Sequence, residues 1–207
     1  MKILLATGNI GKLIEMENVF KGANLYDVEI LTLKDFEEVD EPVEDGNTFL
    51  ANAYIKAMYY YDKFKIPTIS DDTGLLVEAL NNAPGVLSAR YGSVNGEHTD
   101  PKKNNERILQ ELSNESNRYA KFVTAMYYFD GTNLISSIGE LEGEIVKEPR
   151  GTKSFGYSSI FEVPKYKMTL AEIDDELRYA INHRGNAARL LNSLFVQKAL
   201  QIDYFRV

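Results

Sequence analysis

Asp71 and Asp72 stand side by side in the stretch SDDTGL, directly after the apolar run of Ile66, Pro67, Thr68 and Ile69. Adjacent carboxylates repel each other and lose solvation on burial, so a structured position for both suggests a cation partner. The alternative is a solvated turn, since Asp and Gly are ordinary turn residues. Upstream, EDGNTFLANAYIKA over 44–57 puts Glu44 on a loop before a helix, with Asn52 and Lys56 on one helix face, four residues apart. A carboxylate there can join Asp71 on a metal, and the competing reading is an acidic loop leading into a capped helix.

Three other stretches carry chemical potential. TGNIGK, residues 7 to 12, is a Gly-rich strand-to-helix turn whose N–H groups, with Lys12, can hold a phosphate at a helix N-terminus. It is not a Walker A loop, because only two residues separate Gly8 from Gly11 and Leu13 follows Lys12; an ordinary βα turn reads the same way. In GTKSFGYSSIF, Phe155 and Tyr157 flank Gly156 and can offer a stacking surface to a base, or be core aromatics. NHRG places His183 and Arg184 just before a closing helix, where His183 can equally be a helix-start neighbour. Arg90, after the Pro84–Gly85 turn, reads as a structural salt bridge rather than a phosphate contact. His98 lies in a polar loop with nothing nearby to make it a ligand.

These residues need elements to position them. Lys2 to Thr7 reads as a strand, followed by a helix carrying Leu13, Met16 and Phe20, then a strand from Val28 to Leu31. Thr48 is placed to cap a helix whose apolar face is Phe49, Ala53, Ala57, Tyr60 and Phe64. Pro67 stops that helix, and Thr68 to Ser70 reads as a short strand ending at the two aspartates. A helix over 101–112 begins at Pro101. Tyr119 to Phe129 and Leu134 to Val146 read as a long hairpin turning at Asp130 and Gly131. Arg184 to Ala199 reads as an amphipathic helix with Ala187, Leu190, Leu191, Leu194 and Phe195 inward. The expected fold is α/β: a two-lobed mixed sheet with long central strands flanked by helices, with a ligand cleft between the lobes.

Composition narrows the function. A chain of 207 residues, 44% hydrophobic, can bury one substantial core, which fits a single domain over 1–207. No cysteine and two histidines leave little for thiolate or zinc chemistry, while oxygen-ligated metals remain open. A formal charge of −8 argues against broad nucleic-acid binding. The apolar N-terminus, Met1 to Leu5, is too short for a signal segment or a membrane span, so a cytoplasmic protein is expected.

In their order and spacing, TGNIGK, EDGNTFLANAYIKA, SDDTGL, APGVLSARYG, FGY and HRG together resemble the inosine triphosphate pyrophosphatase family over roughly residues 2 to 195. These are house-cleaning hydrolases of deaminated purine nucleoside triphosphates. The resemblance implies a Mg²⁺-dependent homodimer that converts ITP, dITP or XTP to the monophosphate and pyrophosphate, with the nucleotide between two lobes. It also implies roles. Thr7, Gly8, Asn9, Ile10, Gly11 and Lys12 would hold the triphosphate; Glu44 and Asp71 would bind Mg²⁺; and Asp71 would be the catalytic group activating water. Asp72 would contact substrate. Phe155, Gly156 and Tyr157 would wall the base pocket, and His183 and Arg184 would contact the purine.

Four positions depart from the family pattern. Its usual FGYDP is here Phe155, Gly156, Tyr157, Ser158, Ser159; its usual Lys five residues before the His is Arg178; and its usual Ser before the His is Asn182. Ser158 can still accept from a purine N1–H, and Arg178 and Arg184 only donate, which suits a 6-keto oxygen. The expectation is persistent chemistry with altered base selectivity, ITP and XTP still preferred over ATP. The alternatives are the same centre acting on other modified triphosphates, or a nucleotide-binding protein that has lost catalysis.

Overall fold

Strand β1 (Lys2–Leu5) shows how the first part of the chain is built. Its residues alternate between two hydrophobic clusters, Ile3 and Leu5 in one, Leu4 and the following Ala6 in the other. Side chains of a strand point to opposite faces in turn, so a strand buried on both faces needs a helix on each. Helices α1 (Ile10–Gly22) and α5 (His183–Tyr204) cover the first face through Met16, Ala187, Ala188 and Leu191, and helix α2 (Phe49–Phe64) covers the other through Tyr60. On either side of β1, strands β2 (Glu29–Thr32) and β3 (Thr68–Val77) run parallel to it.

The computed structural model describes residues 2–22, 29–37, 39–93, 97 and 100–204. Val28, His98 and the side chain of Phe20 lie outside the described residues. The remaining elements are β4 (Ala83–Pro84), α3 (Pro101–Glu111), β5 (Tyr119–Phe129), β6 (Leu134–Ile145), β7 (Phe161–Val163), β8 (Met168–Thr169) and α4 (Asp175–Ile181). The eight-stranded mixed sheet has the order β2-β1-β3-β5-β6-β7-β8, with β4 antiparallel on β3. The result is a mixed α/β fold.

Two compact units emerge, one of residues 1–72, 124–139 and 184–207, the other of 73–123 and 140–183, so β3, β5 and β6 each contribute to both. The core of the second gathers Leu75, Val77, Ile108, Leu112, Phe122, Ile145, Ile160 and Phe161. No described helix is long and apolar enough to cross a membrane.

Two local expectations are corrected. Strand β3 does not end at the aspartates but runs through them to Val77, because each carboxylate finds cations or amide donors on its own side. Leu190 is 45% exposed, since the buried stripe of α5 runs through Ala187, Ala188 and Leu191 and leaves position 190 off it. The hairpin turn forms as expected: Asp130 accepts from the Thr132 and Asn133 N–H groups, and Gly131 takes φ +94°.

Candidate active site

Continuation of β3 through residues 71 and 72 resolves the problem of the paired carboxylates. Successive strand residues face opposite ways, so Asp71 points toward α1 and α5 while Asp72 points toward α2. Asp71, 1% exposed, lies 2.9 Å from Lys12 Nζ and 3.4 Å from Arg184 Nε. Arg184 is in turn paired through Nη1 with Glu15, and both are buried. Burial alone pushes the Asp71 carboxyl up, but the Lys12, Arg184 and Lys56 charges outweigh it and hold it well below the usual carboxylate range. Burial is also the main reason the Lys12 ammonium is lowered, with Asp71 working the other way.

On the other face, α2 spaces its polar groups one turn apart. Thr48 caps the helix by accepting from the Ala51 N–H at 3.1 Å. Asn52 donates from Nδ2 to Asp72 at 3.0 Å and accepts from the Gly46 N–H at 2.8 Å. A side chain on Gly46 would stand 2.6 Å from Asn52 Oδ1, so only glycine lets the loop close this tightly. Lys56 Nζ then reaches Glu44 at 3.0 Å and Asp72 at 3.7 Å. Burial works to lower the Lys56 ammonium, but Asp72, Asp71 and Glu44 together hold it above its ordinary value. Burial dominates at Asp72, whose carboxyl is raised.

The turn between β1 and α1 lies beside these groups because β1 and β3 are in register, Leu5 opposite Ile69, with the Ala6 N–H donating to the Ile69 carbonyl at 2.8 Å. Within it Asn9 N–H donates to Thr7 Oγ1 and Asn9 Oδ1 accepts from the Lys12 N–H, each at 3.2 Å, which caps α1. Gly8, Asn9 and Ile10 are exposed and Gly11 is half-buried, so the helix N-terminus opens to solvent while Lys12 folds inward.

Glu44, Asp71 and Asp72 are all-oxygen donors within the influence of one ammonium, Lys56. Among the described residues no ready group of three or more metal-ligating side chains exists. Oxygen donors of this kind suit a hard divalent cation, which can take one or two carboxylates and complete its shell with phosphate oxygens and water.

The remaining expected site residues fall in the second unit, with His183 at its boundary. Phe155 is 47% exposed, whereas Tyr157 is buried and donates its hydroxyl to the Ser88 carbonyl at 2.7 Å. Phe155 therefore presents the exposed ring, and Tyr157 anchors the loop into the core. Gly156 has φ +63°, a left-handed conformation that favours glycine. Ser158 is buried, its hydroxyl 3.0 Å from that of Ser154. Arg178 donates to the Ile173 carbonyl at 3.1 Å and to Asp175 at 2.6 Å. His183 is buried and stacked on Phe122, ring centroids 4.6 Å apart. Arg90 is half-buried at the end of a 3-10 turn, its carbonyl accepting from the Ser93 N–H.

Sequence reasoning missed Glu15. The available signal was its spacing of three residues from Lys12, which places both on one side of α1. It noted that Asn52 and Lys56 share a face but gave them no role.

A model of the Ham1 family matches residues 3–194. The chain belongs to the Ham1 family. Among curated relatives, a dITP/XTP pyrophosphatase of Aquifex aeolicus (strain VF5) is 41% identical over 197 residues, covering 92% of this chain and 95% of that protein. Another from Lactobacillus acidophilus is 44% identical over 197 residues with the same coverage. A solved Ham1 protein from Coxiella burnetii matches with a TM-score of 0.85 at 34% identity, over 95% of this chain and 99% of that one. Ham1 membership agrees with the resemblance read from the motifs, and the mixed sheet flanked by helices agrees with this structural relative.

Proposed function

We propose that this Ham1-family chain is a nucleoside triphosphate pyrophosphatase. Acting as one domain, it hydrolyses ITP, dITP and XTP to the monophosphate and pyrophosphate. The observation that carries this reading is the division of Asp71 and Asp72 between two faces of β3, each with its own cations, beside an open helix N-terminus. The names of the curated relatives support the substrate class.

The solvent-exposed turn over Gly8, Asn9 and Ile10 and the Lys12 ammonium receive the triphosphate. Glu44 and Asp71 would hold Mg²⁺, which when bound neutralises phosphate oxygens and lowers the pKa of water. Asp71 remains a carboxylate at neutral pH and is a weak base, so its task is to orient the attacking water as much as to take its proton. Water adds to the α-phosphorus, the bond to the bridging oxygen breaks, and pyrophosphate leaves; the released proton goes to solvent. Asp72, held by Asn52 and Lys56, faces the substrate.

For the base, Phe155 stacks, Gly156 and Tyr157 shape the wall, and Ser158 accepts from N1–H. Arg178, His183 and Arg184 are the donors, which suit a 6-keto group. The 6-amino group of ATP would meet donors and lose its partner, at about 1–3 kcal/mol or roughly 5- to 150-fold. The protein is further proposed to act in the cytoplasm as a homodimer, with neither nucleic acid nor membrane as partner. A panel of triphosphates, with and without Mg²⁺, tests the reading. ITP and XTP should release pyrophosphate in a Mg²⁺-dependent manner that Asp71→Asn abolishes. Comparable kcat/KM for ATP and ITP would refute the selectivity, and binding without turnover would refute the activity.

A further inference from the structure

Helix α3 is fastened to the segment before it by side chains on its inner side. Asn104 Oδ1 accepts from the Gly92 N–H at 2.6 Å, and a Cβ on Gly92 would meet the Lys103 carbonyl at 2.7 Å. Arg107 lies over the Tyr91 ring at 4.1 Å, donates to the Tyr91 carbonyl, and pairs with Glu111 at 2.9 Å. Asp100 and Pro101 fix the start of the helix. From this support Asn105, itself buried, reaches the Phe155–Ser159 loop: its Nδ2 donates to the Gly156 carbonyl at 3.1 Å and to Ser159 Oγ at 3.3 Å.

Gly156 has φ +63°, and a Cβ built there would meet nothing within 4 Å, so no side chain closes over the loop on that side and its hydrogen bonds must hold it. Asn105 Oδ1 is buried with no hydrogen-bond partner among the described residues. A half-satisfied buried amide costs stability, which points to its donor rather than to packing as the reason for the residue.

We infer that Asn105 is a positioning residue for base selectivity: by holding the Gly156 carbonyl and the Ser159 hydroxyl, it fixes how the Phe155 ring and the Ser158 hydroxyl meet the purine. This rests on the base-site roles proposed above. The test compares Asn105→Asp and Asn105→Ala with the wild type. For ITP, kcat/KM should fall about tenfold through KM, with kcat within about twofold, whereas kcat/KM for ATP should stay within about twofold. A purely structural role would lower ITP and ATP together, and that result, or an unchanged ITP value, overturns the inference.

Loop ordering is read without turnover by amide hydrogen exchange over residues 155–160. Exchange about tenfold faster in Asn105→Ala supports the tether, and unchanged exchange refutes it. A wild type that leaves ITP intact refutes the proposed function, and the exchange result then decides the tether alone.

Discussion

Replacing Lys56 with Met removes one charge while keeping much of the side-chain volume, and it tests whether Lys56 holds the carboxylates together. The ammonium pairs with Glu44 at 3.0 Å and Asp72 at 3.7 Å. At an effective dielectric constant of about 20, those separations correspond to gross attractions of about 5.5 and about 4.5 kcal/mol. Desolvation of Lys56 and the ordering of its long side chain offset most of that. With Lys56 12% and Glu44 33% exposed, the net loss falls between the extremes for exposed and buried pairs, at about 2 kcal/mol. For a chain of this length that lowers Tm by about 4–8 °C. Urea and thermal unfolding measure the loss directly. The variant also leaves Glu44, Asp71 and Asp72 with one fewer competing cation, so added Mg²⁺ should raise its Tm more than that of the wild type. An unchanged unfolding midpoint, or an equal Mg²⁺ response in both proteins, would show that Lys56 does not hold these carboxylates together.

Two further outcomes follow from the same electrostatics. Glu15→Gln leaves the buried Arg184 without its second carboxylate and should cost about 3 kcal/mol in urea unfolding, with a loss under about 0.5 kcal/mol showing that the pair contributes little. At Asp130, burial pushes the carboxyl up, but hydrogen bonds from Asn133, Thr132 and Tyr128 hold it below its ordinary value of 3.8. A depressed carboxyl stabilises the fold above its unfolded value and loses that contribution as pH falls through the folded value. The stability gap between wild type and Asp130→Asn should therefore narrow below about pH 4, and a gap that stays constant down to about pH 3 would contradict the assignment.

What the sequence revealed followed the range of the interactions involved. The Thr48 cap, the Asp130–Gly131 turn and the β–α start at Lys2 to Lys12 rest on contacts within a few residues and were legible. The aspartate pair was legible as carboxylates calling for cations but not as part of a continuing strand, because Asp and Gly are also ordinary turn residues. Only the partners on opposite faces, Lys12 and Arg184 against Asn52 and Lys56, show why the strand continues; Arg184 lies 113 residues from Asp71. Strands β7 and β8 and helix α4 are too short to carry a periodic signal. Tyr157 looked like a partner of Phe155 in stacking, and its hydrogen bond to the Ser88 carbonyl, 69 residues away, reveals an anchor instead.

Hydrolysis at the α-phosphorus leaves a mark that heavy-oxygen-labelled water reads out. With ITP and Mg²⁺, one pyrophosphate should form per monophosphate, with one labelled oxygen, found in the monophosphate. Label in the pyrophosphate, or orthophosphate as the first product, would contradict it.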